Sequence, residues 1–279
     1  MGTFINLFQY DFFLNAFWAT LFAAVSCGIV GTYIVARRIV FISGGITHAS
    51  FGGIGIGYFL GWNPLLGAAI FSVLSGLGIQ YFTRSAKLRE DSSIAIWWSL
   101  GMAIGIIFIY LSPGYAPNLM SYLFGSILTV SVTEIGLMAA LSFLLIAVFT
   151  LLYRAILYVA FNEEFARTTG LPVDLINYLL MSLIAITIVL NIRVVGIILI
   201  MSLLTLPQAT ANLFTHDFRH MMFYSVGFAF IGAFAGLLVS FYADIPSGAS
   251  IIFTQVLLFG LMKALSFGLK RKKPANARS

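Results

Sequence analysis

The sequence predicts an all-α bundle of about eight to nine membrane-spanning helices, and three observations carry that prediction. Hydrophobic residues make up 61% of the chain and charged residues only 9%, with a mean hydropathy of +1.03. A chain of that composition could not keep a folded surface wet in water. Its apolar residues fall in runs of about 20, the length an α-helix needs to cross a hydrocarbon core of about 30 Å. Its basic residues collect in alternate connections between those runs, the pattern that sets membrane orientation.

In chain order the runs are 12–36, 40–60, 64–83, 94–111, 132–153, 174–191, 195–214, 221–242 and 249–269. A piece at 118–131 is too short to cross alone and reads as re-entrant or interfacial. The first run is too long for a cleavable signal, lacks a basic segment before it, and ends in Arg37-Arg38 rather than at small residues. With the N-terminus outside, Arg37, Arg38, Arg84, Lys87, Arg89, Arg154, Arg167, Arg219 and the tail from Lys270 all fall inside. The outer connections then carry Asp11, Trp62-Asn63-Pro64, Glu134 and Asp244, so the C-terminus is expected to be cytoplasmic. Arg193 dissents at an outer hairpin end, beside Asn191. The net charge of +6 belongs to these loops and is no nucleic-acid footprint. Cys27 is the single cysteine, which excludes a disulfide framework or a cysteine-rich metal site.

The second run holds His48, the one histidine deep in an apolar segment. It lies about eight residues in, roughly 12 Å from the inner boundary and near mid-depth. An ionisable group there is costly and by default marks a pathway. At helical spacing Gly44, Gly45, Gly52 and Gly55 share or flank its face, and small residues let backbones approach closely in lipid. The alternative is that the glycines serve packing alone and His48 only hydrogen-bonds another helix. Ser43 and Thr47 sit beside it as further candidates for the pathway.

Later segments add local signals. Glu90-Asp91-Ser92-Ser93 reads as the start of a helix, with acids favourable in its first turn. Phe161-to-Pro172 is the longest polar interruption. Asn162 suits an N-cap, Glu163 and Glu164 the first turn, Gly170 the position past the end, and Pro172 forbids continuation. A short helix therefore lies at about 162–170, either a connector or a piece that docks on a soluble partner through Phe165. Pro207 breaks the 195–214 run, and Ser202, Thr205, Gln208 and Thr210 could satisfy the freed carbonyl or line a cavity. Asp244 opens a tight turn where it is expected to cap backbone amides. His216 and His220 share a helical face, but Thr215-His-Asp-Phe reads better as an N-cap turn than as a metal site.

No P-loop, His-Glu-x-x-His or Gly-x-Ser-x-Gly occurs, so the chain should neither hydrolyse ATP by that route nor act as an obvious hydrolase. Too few Asp, Glu and His lie inside the runs for a proton relay.

Several stretches taken together resemble the permease subunit of the zinc/manganese/iron-type ABC importers. They are Arg37-Arg38 leading to Gly45-Ile-Thr-His-Ala-Ser-Phe-Gly-Gly, Arg89-Glu-Asp-Ser-Ser-Ile, Ser121-Tyr-Leu-Phe-Gly-Ser-Ile-Leu, and Glu163-Glu-Phe-Ala-Arg-Thr-Thr-Gly-Leu-Pro. Val195-Gly-Ile-Ile-Leu, Leu206-Pro-Gln-Ala-Thr-Ala and Asp244-Ile-Pro-Ser-Gly-Ala complete the set, in the family's order from about residue 10 to 269. The resemblance implies one permease domain over 1–269 with a basic tail at 270–279, in a homodimer within the bacterial inner membrane. It implies two cytoplasmic ATP-binding subunits, an extracytoplasmic metal-binding protein, and a divalent transition metal as cargo with no resident cofactor. It also implies that Glu163, Glu164, Phe165, Ala166, Arg167 and Gly170 form the coupling element touching the ATPase, and that His48 is a metal ligand. In that family an acid often stands four residues before the histidine, where this chain has Gly44. Carboxylate sites suit manganese, whereas imidazole suits zinc, iron, copper or nickel. Asn191, Arg193, Gln208 and Asp244 remain candidates for the pathway or its mouth. A permease for a metal chelate such as a siderophore or cobalamin, or an uncoupled channel or scaffold, would share much of this pattern.

Overall fold

A computed structural model of the chain describes residues 9–112, 125 and 127–271. Among them the secondary structure is helical, with no strand. Seven helices are long and apolar enough to cross a membrane: α1 (Asp11–Ala36), α3 (Pro64–Arg84), α4 (Glu90–Leu111), α5 (Val132–Leu151), α8 (Val173–Val195), α11 (Phe218–Ala243) and α12 (Ser247–Arg271). The glycine-rich α2 (Phe41–Phe59) has 19 residues, about 28 Å at 1.5 Å each, and is long enough although it falls outside those seven.

The 195–214 run is broken as expected, but in two places rather than one, at Gly196 and just before Pro207. Helix α8 runs on to Val195, Gly196 turns the chain at φ 85°, and α9 (Ile197–Leu203) follows. A second break at Thr205 (φ −130°, ψ −50°) precedes α10 (Leu206–Ala211), and Pro207 lies in the first turn of α10. Proline is tolerated there because the first amides of a helix have no intrahelical acceptor. The polar side chains at the break satisfy the freed backbone: Thr205 Oγ1 donates to the Met201 carbonyl at 2.8 Å, and Gln208 Nε2 to the Leu203 carbonyl at 3.2 Å. Gln208 Nε2 also donates to the Cys27 carbonyl at 2.8 Å, which ties the break to α1.

The 132–153 run ends at Leu151, and a separate amphipathic helix α6 (Tyr153–Phe161) follows a kink at Leu152. Then comes the short α7 (Glu163–Thr168), as expected. Of the 118–131 piece, Gly125 and a 3-10 turn at Ile127–Thr129 with its flank are described, and the rest lies outside the described residues. Capping explains where several helices start. Asn63, Ser131, Asn162 and Asp217 each accept from an amide of their first turn. Ser131 and Glu134 form a reciprocal capping box, Glu134 Oε2 accepting from the Ser131 amide at 2.9 Å.

Small residues position the bundle. Helix α1 is buried through Ala16, Ala19, Ala23, Ala24, Gly28 and Gly31 and packs on α5 and α11. Helix α2 is sandwiched between α3 and α4. On its α4 side, a Cβ added to Gly52 would lie 2.8 Å from the Gly101 carbonyl oxygen, and one on Gly55 2.6 Å from that of Gly105. On its α3 side, Cβ atoms on Gly53 or Gly67 would be driven into each other's backbone. In lipid, helices gain little from excluding apolar surface, so such backbone approach supplies the attraction. Interhelical polar contacts add to it: Thr32 Oγ1 to Ser225 Oγ at 3.3 Å, Ser142 Oγ to the Phe22 carbonyl at 3.2 Å, and Asn191 Nδ2 to Ser26 Oγ at 3.2 Å.

Candidate functional site

Helix α2 presents His48 toward α4. The imidazole lies against the Trp98 indole with ring centroids 4.4 Å apart and planes 7° from parallel. His48 is half-buried on a helix whose other polar residues, Ser43, Thr47 and Ser50, are fully buried. None of the described residues hydrogen-bonds its ring, so the reading of His48 as an interhelical hydrogen-bonder finds no partner there. Ser43 Oγ donates to the Val40 carbonyl at 2.7 Å and Thr47 Oγ1 to the Ser43 carbonyl. Both hydroxyls keep acceptor lone pairs.

The position one turn before His48 is open only to soft and aromatic groups. A Cβ on Gly44 would meet Met201 Cε at 2.9 Å, Met201 Sδ at 3.5 Å and Trp98 at 3.5 Å. Met201 comes from α9, between the two breaks. Thus the thioether of a broken helix and the indole of α4 occupy the space beside Gly44. Sequence reasoning singled out neither Trp98 nor Met201. The indole could have been found as a large aromatic on the helix that carries Gly101 and Gly105, but Met201 required knowing where α9 turns. Among the described residues no three His, Cys, Asp or Glu side chains gather.

A second cluster lies at the end of the bundle that collects the basic residues. Asn162 Oδ1 accepts from the Phe165 amide at 2.9 Å, starting α7, and Gly170 adopts φ 79° just past its end. Ala166 is buried, Phe165 is 49% exposed, and Glu164 is exposed. Glu163 and Arg167 point elsewhere. Glu163 pairs with Arg37 at 2.7 Å and with Arg84 at 2.8 Å, and Arg167 pairs with Asp174 at 2.8 Å. These two side chains are engaged within the chain, which separates them from Glu164 and Phe165.

The remaining candidates are scattered. Asn191 is fully buried, its Nδ2 held by Ser26 and by the Thr187 carbonyl at 2.7 Å. Gln208 is likewise fully buried, and each of these two carboxamides keeps an oxygen without a partner among the described residues. The Arg193 side chain lies outside the described residues. Asp244 ends α11 in the left-handed region at φ 54°, and the Asp244 amide donates to the Ser240 carbonyl. Its carboxylate makes no hydrogen bond among the described residues, so the expected side-chain cap is replaced by a backbone one. Asp244 instead lines a cavity of about 350 Å³ with Gly125, Leu128 and Pro246.

His216 and His220 do not converge. His216 Nδ1 sits 3.1 Å from Asn212 Oδ1, and His220 Nδ1 2.9 Å from Asp217 Oδ1. Asp217 caps α11, and the His220 amide that donates to it holds its carboxyl below the usual carboxylate range.

A multi-pass helical bundle with a twice-broken helix, a glycine-lined helix bearing one histidine, and a capped short helix defines the chain as a membrane permease. The chain belongs to the ABC 3 transport family, whose description matches residues 9–266. It is 42% identical over 248 residues to an uncharacterised membrane protein of Synechocystis, covering 89% of this chain and 88% of that one. It is 33% identical over 258 residues to the manganese transport system membrane protein MntC of Halalkalibacterium halodurans, covering 92% and 88%. Among solved structures, PsaBC from Streptococcus pneumoniae in complex with Fab superposes with a TM-score of 0.83 at 28% identity, over 96% of this chain and 99% of that chain.

Proposed function

We propose that the chain is the membrane permease subunit of an ATP-driven importer for a divalent transition-metal ion, zinc, manganese or iron. It works as a homodimer in the bacterial inner membrane, with the basic end of the bundle cytoplasmic. ATP-binding subunits dock there on α7 through Glu164 and Phe165, and an extracytoplasmic metal-binding protein delivers the ion. The observation that carries this reading is the imidazole of His48, half-buried in a spanning helix, without a hydrogen bond from any of the described residues, and stacked on the Trp98 indole. The names of relatives, among them a manganese transport system membrane protein, support the cargo class.

Chemically, a neutral imidazole ligates a borderline metal through one nitrogen while its other nitrogen seeks an acceptor. Among the described residues no group of three His, Cys, Asp or Glu side chains surrounds it, which suits an ion that must be released as well as bound. High affinity then resides in the delivering protein.

The test is uptake in proteoliposomes holding the chain with its ATPase and binding protein. ATP-dependent accumulation of zinc, manganese or iron is expected. Uptake of a metal chelate but not the free ion, or uptake indifferent to ATP, would overturn the reading. The chain alone, purified free of other ATPases, is expected to show no ATP turnover, because it carries no P-loop. Measured hydrolysis by the isolated chain would sink the division of labour.

The Gly44 position offers a check on cargo preference. Gly44→Asp places an oxygen donor one turn from His48, and the obstructing Met201 methyl is the flexible end of a side chain. Competition assays are expected to shift toward manganese relative to zinc. An unchanged ratio would mean that this turn of α2 does not touch the ion.

A further inference from the structure

The charged side chains of α7 do two different jobs. Glu163 uses both carboxylate oxygens inside the chain: Oε1 accepts from Arg37 Nη2 at 2.7 Å and Asn177 Nδ2 at 3.1 Å, and Oε2 accepts from Arg84 Nη2 at 2.8 Å. Arg37 caps the end of α1, Arg84 ends α3, and Asn177 belongs to α8. Arg37 Nη1 in turn donates to Asn177 Oδ1 at 2.6 Å and to the Tyr33 hydroxyl at 3.1 Å. Arg84 also pairs with Asp174, which holds Arg167. One carboxylate on α7 is therefore bonded to three spanning helices at once.

Burial separates this hub from ordinary surface pairs. The side chains of Arg37, Arg84 and Glu163 are 16%, 19% and 30% exposed, whereas Arg167 and Asp174 are 50% and 55% exposed. Exposed pairs contribute little, while charge-assisted bonds in a partly buried network are stronger and hold a fixed geometry. Glu164 and Phe165, next in sequence, are exposed, and among the described residues neither pairs with a spanning helix; the Phe165 ring packs edge-on against Tyr158 of α6.

We infer that Glu163 is a positioning residue that fastens α7 to the ends of α1, α3 and α8, so that a displacement of α7 is passed to the spanning helices rather than absorbed in its loops. The inference rests on the proposed import function, since a transmission strut matters only where α7 receives a push. Contact with the ATPase falls to Glu164 and Phe165, and Glu163 converts that contact into helix movement.

The experiment uses the full importer complex and two readouts: retention of the ATPase on purification, and metal ions moved per ATP hydrolysed. Glu163→Ala is expected to retain the ATPase but to lower ions per ATP about tenfold, inside the usual 5- to 150-fold range of couplings between sites. Glu164→Ala is expected to lose the ATPase instead. Because Glu163 and Arg84 act as one unit, Glu163→Ala combined with Arg84→Ala is expected to lose less than the two single losses added together and to fall close to Glu163→Ala alone. Should Glu163→Ala not accumulate, Glu163→Gln keeps the side-chain volume and removes the charge, and the same fall in ions per ATP is expected.

Loss of the ATPase from a folded Glu163 variant would overturn the inference and return Glu163 to the docking surface. An unchanged ion-to-ATP ratio would do the same, leaving the hub as a static tie that passes on no movement. Failure of the wild-type complex to import metal would sink the import reading first, and this inference with it.

Discussion

Gly53→Ala is expected to destabilise the bundle by at least about 3 kcal/mol, the upper end of the usual overpacking range. The added methyl has nowhere to go. Its nearest neighbour would be the Gly67 carbonyl, and the next atoms are Gly67 backbone and the Phe71 Cβ. A flexible side chain could step aside, but backbone can yield only if α2 and α3 part. That would in turn strip contacts from a helix held by α4 on its other side. The controls are Gly136→Ala and Gly227→Ala, where an added Cβ meets nothing within 4 Å, so both are expected within about 0.5 kcal/mol of wild type. Melting of the three purified variants in detergent decides it. A Gly53→Ala protein as stable as Gly136→Ala would show that α2 is not clamped by backbone contact, and the placement of His48 would lose its foundation.

How much of this was legible in the sequence follows from the range of the interactions involved. Asn162, the two glutamates and Gly170 announce α7 because capping is local, and the structure agrees to within about two residues. The glycine face of α2 was legible too: Gly44, Gly45, Gly52 and Gly55 all meet α4, through Trp98, Ile94, Gly101 and Gly105 respectively. Pro207 marked the break at Thr205, within two residues, but the break at Gly196 was not legible, because an apolar run reads the same whether the chain turns inside it or not. Nor was the kink at Leu152 that frees α6, since neither glycine nor proline marks it. The hub at Glu163 joins it to Arg84, 79 positions away, and to Arg37, which is farther still, beyond any local pattern. That is why Glu163 read only as a first-turn acid of the coupling element, with no sign of its partners Arg37 and Arg84. Met201 beside Gly44 belongs to the same class of long-range facts.

His48→Ala is expected to reduce ATP-dependent metal uptake at least 10- to 100-fold, roughly the effect of disturbing a metal site's supporting shell, while membrane insertion persists. Persistence follows from the surroundings: none of the described residues hydrogen-bonds the ring, and what is lost is one face-to-face contact with Trp98, of order 1 kcal/mol. Structure alone therefore predicts a small stability cost, against a large transport loss if the nitrogen touches the ion. His48→Gln sharpens the contrast, because a carboxamide fills similar space and hydrogen-bonds but ligates poorly. It is expected to fail almost as badly as alanine. Trp98→Phe keeps an aromatic face against the imidazole and is expected to import, whereas Trp98→Ala frees the ring and is expected to weaken apparent metal affinity while leaving the ATPase bound. Wild-type uptake by His48→Gln would make His48 a packing residue and move the ion's path elsewhere in the bundle. Loss in both His48 variants, with import kept by Trp98→Phe and weakened in Trp98→Ala, would tie transport to the imidazole, held in place by one aromatic face.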